Sequence, residues 1–247
     1  MIMLSGIYLP LFIGVLTAVQ SIFGVGLLFF GTPLLLLWGY TYIDAINILL
    51  PCSLFLSCYQ VFERRIRLRT FEKRVIPLIL VCVSFGMVAA SALTDTEFLK
   101  PFIAALLILV ALMRLNPKLL ELFRRVCRRY KHPSLAIIGA VHGLTNMGGG
   151  LLTSFASSTF SLKEEVSSYV VVVYTLFAAT QIATLAYLGK LNILQVQTVT
   201  LIACVFLVHR FIGRALFNSF NSLAYQKMFS IFLLLSSLML SYQYFYK

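Results

Sequence analysis

Residues 142–154, HGLTNMGGGLLTS, set His142, Thr145 and Asn146 just ahead of three consecutive glycines, Gly148-Gly149-Gly150, inside a long apolar run. A fainter counterpart, TAVQSIFGVGLL over 17–28, sets Gln20 and Ser21 ahead of Gly24 and Gly26. Glycine lets backbone come close to a ligand. A helix that starts at such a break offers unpaired N–H groups and the positive end of its dipole. With Gln20, Ser21, Thr145 and Asn146 as further donors, this is chemistry for a small oxyanion, without any cationic side chain. The competing reading is structural: glycines that let helices pack closely, and polar side chains that join them at about 0.6 kcal/mol each. His142 lies one turn before Asn146 on the same helical face. An ionisable group at membrane depth points to function, here proton coupling or anion contact. The alternative for His142 is a neutral ring bonded to a neighbouring helix.

The elements that must position these residues are membrane helices. The 247 residues are 60% hydrophobic and 11% charged, against about 25% charged in soluble domains, and the mean hydropathy is +0.95. Segments of about ten alternating residues, the mark of a membrane barrel, do not occur. The opening MIMLSGIYLPLFIGV lacks a basic start and a small-residue cleavage site, so it reads as a first span rather than a removable signal. Five scattered cysteines with no CxxC read as small buried hydrophobes rather than as a metal or disulfide framework.

In order, the apolar run 7–40 exceeds the roughly 20 residues of one span and is interrupted near 23–26; it reads as a first, broken span. Further spans are expected over 43–62, 75–93, 98–115, 134–160 (broken at the glycine cluster), 166–188, 193–208 and 227–246. Thirteen of the twenty Lys and Arg fall in 63–74 and 114–131. Positive-inside placement explains the net charge of +12 better than nucleic acid does. It puts both loops, both termini and the turn 189–192 in the cytoplasm, and 209–226 outside. In the second loop Leu119, Phe123, Val126 and Tyr130 lie opposite Arg124, Arg125, Arg128 and Arg129, a basic amphipathic helix suited to anionic lipid, or simply a topogenic loop. His209, Arg210 and Arg214 are expected at the outer mouth, as anion contacts or as interfacial side chains. Asn47, Gln60, Tyr174, Thr175 and Gln181 rank below the glycine motifs; Asp44, Glu164 and Glu165 read as helix caps.

An offset of about 122–125 aligns the halves. Gly14 falls on Gly139, Gln20-Ser21 on Thr145-Asn146, Gly24–Gly26 on Gly148–Gly150, and Ser53-Leu54-Phe55 on Thr175-Leu176-Phe177, while Phe85-Gly86 is a looser counterpart of Ile212-Gly213. The reading is an all-α integral membrane protein of eight spans. It comprises two parallel four-span repeats, 1–115 and 134–247, joined by a basic linker, 116–133, with any pathway between them.

The glycine element in each half resembles the TauE/SafE-type sulfite exporter family. Asn146-Met147-Gly148-Gly149-Gly150-Leu151-Leu152 matches its second copy and Phe23-Gly24-Val25-Gly26-Leu27-Leu28 is a degenerate first copy, followed by a similar Thr32-Pro33-Leu34-Leu35. The stretch 64–74 has Arg67 where the family has glycine, and Gly189-Lys190-Leu191-Asn192 is similar to its turn. The resemblance implies carriage of sulfite, a sulfonate or a related organic sulfur anion. No enzyme is expected, since the spans hold one clear histidine and the acids sit at span ends. No cofactor, metal or nucleic acid is expected either. A non-transporting scaffold subunit, or a carrier of another organic acid, stays open, as do a coupling proton or ion and a homodimer.

Overall fold

The computed structural model describes residues 7–66, 75–92, 99–192 and 196–219, with residues 231, 234, 235, 238 and 242 beyond them. Every element among the described residues is helical. The expected eighth span, the loop 67–74 and the connection 93–98 fall wholly or mostly outside them.

The apolar run 7–40 does break where expected, but the two pieces fold back on each other. Helix α1 (Tyr8–Phe23) ends at Gly24, whose φ of 72° is left-handed, where glycine bears no Cβ penalty. Helix α2 (Leu27–Leu37) then runs in reverse. Gly26 rests on Gln20, Gly31 faces Leu16, and the Trp38 ring sits 4.7 Å from Phe12. Later in the chain α3 (Tyr42–Glu63), α4 (Val75–Ala92), α5 (Leu99–Leu115) and α6 (Pro117–Arg129) lead to a second such hairpin. There α7 (Lys131–Thr145) ends at Asn146, left-handed with φ 62°. Helix α8 (Gly148–Thr159) doubles back so that Gly148 faces His142 and the Ile138 carbonyl. The arms have 16, 11, 15 and 12 residues, each short of the roughly 20 a crossing needs. Each hairpin therefore enters and leaves at the same end of the bundle.

The fold-back of each hairpin also turns the later helices around. Helix α9 (Lys163–Tyr187) runs antiparallel to α3. At the start of α3, Asn47 Nδ2 donates to the Lys190 carbonyl (3.0 Å) and Asn47 Oδ1 accepts from Asn192 N–H (2.9 Å). At its end, Arg64 Nη1 donates to Ser167 Oγ (2.8 Å). The sequence-matched segments of α3 and α9 thus point in opposite directions, and a parallel arrangement of the repeats does not hold. Helix α10 (Val196–Val208) continues through a π-turn (His209–Gly213) into α11 (Arg214–Ser219). The first arm of each hairpin packs on a helix of the other half: α1 runs beside α10, with Cys204 donating to the Pro10 carbonyl, and α7 runs beside α4. A Cβ at Gly86 or Gly143 would collide with backbone across the α4–α7 crossing, the small-residue packing that stands in for a hydrophobic drive in lipid.

Three placements change as a result. The turn 189–192 lies at the opposite end from Arg64, although both were expected on one side. His209 and Arg214 lie beside Glu63, at the end that carries Arg64, rather than across the membrane from it. The start of α1 lies at the other end, with Trp38. The reason is common to all three: a reversal replaces what reads along the chain as a crossing. Among the described residues four helices are long and apolar enough to cross a membrane, Tyr42–Glu63, Val75–Ala92, Lys163–Tyr187 and Gln197–Ser219; the pair Pro101–Met113 and Pro117–Arg129, bent by 102°, adds a fifth candidate.

Candidate functional site

The two hairpins enter from opposite ends and their tips meet inside the bundle. A Cβ at Gly149 would stand 3.1 Å from the Val25 side chain and 3.0 Å from the Tyr174 hydroxyl, and one at Gly150 would stand 2.9 Å from the Phe29 ring. Asn146 Nδ2 donates to Thr32 Oγ1 on α2 (3.0 Å). Glycine at 149 and 150 is therefore what lets one tip seat against the other.

The first tip is internally satisfied. Gln20 Oε1 accepts from the Leu27 N–H (3.0 Å), capping α2 in place of an N-cap side chain. Its Nε2 donates to Ser57 Oγ (3.1 Å), with Ser53 Oγ at 3.5 Å. Ser53, Ser57 and Gln60 share one face of α3, and both amide atoms of buried Gln60 carry no hydrogen bond. Ser21 faces away from this group: its Oγ is 2.7 Å from the Thr17 carbonyl and 2.7 Å from His209 Nδ1.

The second tip holds polar atoms in reserve. Thr145 Oγ1 donates to the Val141 carbonyl and accepts from the Met147 N–H, which fixes the turn. Asn146 Oδ1 accepts from Gln181 Nε2 (2.6 Å). The His142 ring stacks on Phe177 (centroids 4.3 Å) and meets Tyr174 edge-on (5.2 Å). Neither His142 nitrogen, nor the Tyr174 hydroxyl, nor Gln181 Oε1 makes a well-aligned hydrogen bond, although Gln181 lies beside the His142 ring and the Phe29 backbone beside the Tyr174 hydroxyl; all three residues are fully buried. A buried polar atom without a partner costs about 1–3 kcal/mol. Four such atoms stand in one place, beside the first-turn N–H groups of Gly148, Gly149 and Gly150, a group with the chemistry to meet a polar ligand. It contains donors, one ring that can donate and accept, and no carboxylate.

The third group lies at the basic end. His209 Nε2 is 3.2 Å from Glu63 Oε2, and Arg214 Nη1 is 3.1 Å from Glu63 Oε1. Arg64 lies 4.5 Å over the Phe217 ring. These residues, with Ser21, Glu164, Ser168, Gly213 and Asn218, line a cavity of about 350 Å³. Arg210 is exposed and outside that lining.

The structure thus brings His142, Thr145, Asn146 and Gly148–Gly150 together with Tyr174 and Gln181, which the sequence ranks lower. It separates Ser21 from Gln20. Sequence reasoning misses Thr32, Ser57 and Glu63; the only signal for Ser57 was its spacing of four and three from Ser53 and Gln60 on one helical face. Among known proteins, a family model described as Sulfite exporter TauE/SafE matches residues 9–240. No curated protein and no solved structure matches.

Proposed function

The chain belongs to the TauE/SafE sulfite exporter family, and on that premise we propose that it is a membrane permease carrying a small sulfur oxyanion, sulfite or a sulfonate, past the second hairpin tip. The observation that carries this reading is the buried set of polar atoms without well-aligned hydrogen bonds, His142 Nδ1 and Nε2, Tyr174 Oη and Gln181 Oε1, beside a glycine-opened helix start. An oxyanion would accept from Tyr174, from His142 and from the Gly148–Gly150 N–H groups. Helix starts suit anions in this way, and neither tip has an acidic residue to hold a cation. Gln20 would hold the first tip in shape rather than touch the anion.

The two hairpins, each packed on a helix of the opposite half, fit a pair of inverted repeats, whose shared interface at mid-membrane is where transport sites lie. The end carrying Arg64, Lys163, Arg214 and α6 faces the cytoplasm by the positive-inside bias. On this assignment all three basic stretches agree, and the start of α1 faces outside. The inside-negative potential of the cell membrane then favours export of an anion.

The test is flux from proteoliposomes loaded with sulfite, thiosulfate, sulfoacetate, taurine, acetate or chloride. A sulfur oxyanion should leave faster than from vesicles without protein, and Gly149→Leu should stop it while the protein stays monodisperse. In parallel, a ligand at about 100 times its Kd should stabilise the purified protein by about 2.7 kcal/mol. Equal leakage of every anion and no thermal shift would overturn the reading.

A further inference from the structure

Helix α6 takes no part in the anion site and lies across the end of the bundle. Its start is written locally. Asn116 Oδ1 accepts from the Lys118 and Leu119 N–H groups (3.0 and 3.3 Å), the usual N-cap arrangement, and Pro117 takes the first helical position, where a missing N–H does no harm. Between Pro101–Met113 and Pro117–Arg129 the axis turns by 102°. With α5 inside the bundle, a turn of that size lays α6 near the plane of the membrane surface, where the second hairpin enters. Around α6 the residues sort into three sectors. Cys127, 1% exposed, and Phe123 face the bundle, where α6 packs on α8. Leu119, Leu122, Val126 and Tyr130 form a half-exposed stripe that follows on from the exposed Leu109, Leu112 and Leu115 of α5. Lys118, Arg125 and Arg129 are exposed and, at spacings of three and four from Leu122, make the row beside that stripe. Glu121, the one acid against five basic residues in α6, is taken up by Arg128 at 2.7 Å. Phe123, expected on the apolar stripe, thus belongs to the bundle, and Leu122 stands in its place.

We propose that α6 is a docking surface for anionic lipid headgroups, in the leaflet at the basic end of the bundle. The half-exposed stripe enters the boundary between acyl chains and headgroups, the depth at which an amphipathic helix settles. Lys118, Arg125 and Arg129 then stand at headgroup level, where a lipid of net negative charge gains more from them than a zwitterionic one does. Tyr130 suits the same level, with an apolar ring and a polar tip, and the Arg129 guanidinium lies 5.5 Å from that ring. The stripe also selects lipid over an acidic soluble partner. It carries on the lipid-facing side of α5, so it is turned to the bilayer and not to water. The inner face gives the docking a consequence. Through Phe123 and Cys127 the helix holds α8, the arm that begins with Gly148–Gly150, so a lipid bound on α6 steadies the second hairpin. The inference stands whichever solute the chain carries.

The test uses the full chain purified in detergent, with phosphatidylglycerol and phosphatidylcholine of equal chain length as probes. Native mass spectrometry reads which lipid stays bound, and thermal melting reads what it does. The parent should retain phosphatidylglycerol at least about tenfold better than phosphatidylcholine, since each basic residue near an anionic surface is worth about fivefold. Phosphatidylglycerol should also raise its melting temperature, as a ligand of the folded state does. Lys118→Gln, Arg125→Gln and Arg129→Gln together should bring the preference below about twofold and remove the melting shift. All three side chains are exposed, so that variant should stay monodisperse. Arg210→Gln, which changes an exposed arginine at the same end, should keep the parent's preference. Equal retention of the two lipids by the parent would leave α6 a topogenic segment and overturn the proposal. So would a triple variant that keeps the preference, or an Arg210→Gln that loses it as fully, because the attraction would then belong to net charge and not to α6.

Discussion

The two hairpins share a shape and differ in how they are held. The second is seated on α4 by backbone: Gly143 lies against the Val83 carbonyl and Gly86 against that of Ala140. The first is seated on α10 by side chains, with Gly14 at ordinary contact distance from Val208 and Cys204 and the Ser21–His209 hydrogen bond nearby. Their tips differ in the opposite sense. The first satisfies its polar groups within itself, through Gln20, Leu27 and Ser57; the second leaves His142, Tyr174 and Gln181 with capacity to spare. A fixed arm that presents donors in reserve suits recognition, and a side-chain-held arm tied to ionisable groups suits movement.

Substitutions can break or sharpen that contrast, and the largest effect is expected at the fixed crossing. Gly143→Ala forces a methyl into the Val83 backbone and should cost about 3 kcal/mol or more, read as loss of monodisperse protein. Gly14→Ala, with a neighbour only at 3.4 Å, should be nearly neutral, since alanine favours the helix by about 1 kcal/mol. Equal damage at the two positions would erase the distinction. Next, Asn146→Ala removes the bonds to Thr32 and Gln181 and strains a left-handed residue, for about 2–3 kcal/mol together. Asn146→Gly should recover the backbone share, about 1 kcal/mol, in the melting temperature.

His142→Phe separates recognition from stability. The ring can keep its stack on Phe177, so melting should hold or rise, while anion affinity falls at least about tenfold with the loss of a charge-assisted hydrogen bond. Gln20→Leu should do the reverse, costing about 2 kcal/mol through the lost cap and amide bonds with affinity changed less than about threefold; a larger loss of affinity would place Gln20 on the anion. Arg210→Ala, exposed and outside the charged cavity, should change stability by no more than about 0.5 kcal/mol.

Much of the site was legible because its signals are local. Glycine clusters inside apolar runs mark breaks, and both breaks stand within a residue or two of 24–26 and 146–148. Thr145 and Asn146 were visible as polar residues beside such a break. Tyr174 and Gln181 were visible only as polar residues on a span, because their importance comes from His142 and Asn146 some 35 residues away. Glu63 read as part of a basic loop; its role comes from His209, 146 residues on.

The sequence by itself determined that this chain is helical and built for a membrane, where its helices break, and which family it resembles. Those properties come from composition and short spacing, which act along the chain. The tertiary structure alone decided whether each break continues or reverses, and with it the direction of α9 and α10 and the end at which His209 meets Glu63. Two short apolar helices joined by a glycine turn are equally apolar straight or folded. The choice is made by contacts between distant segments, Gly143 on Val83 and Gly149 on Val25, which no reading of neighbours along the chain contains.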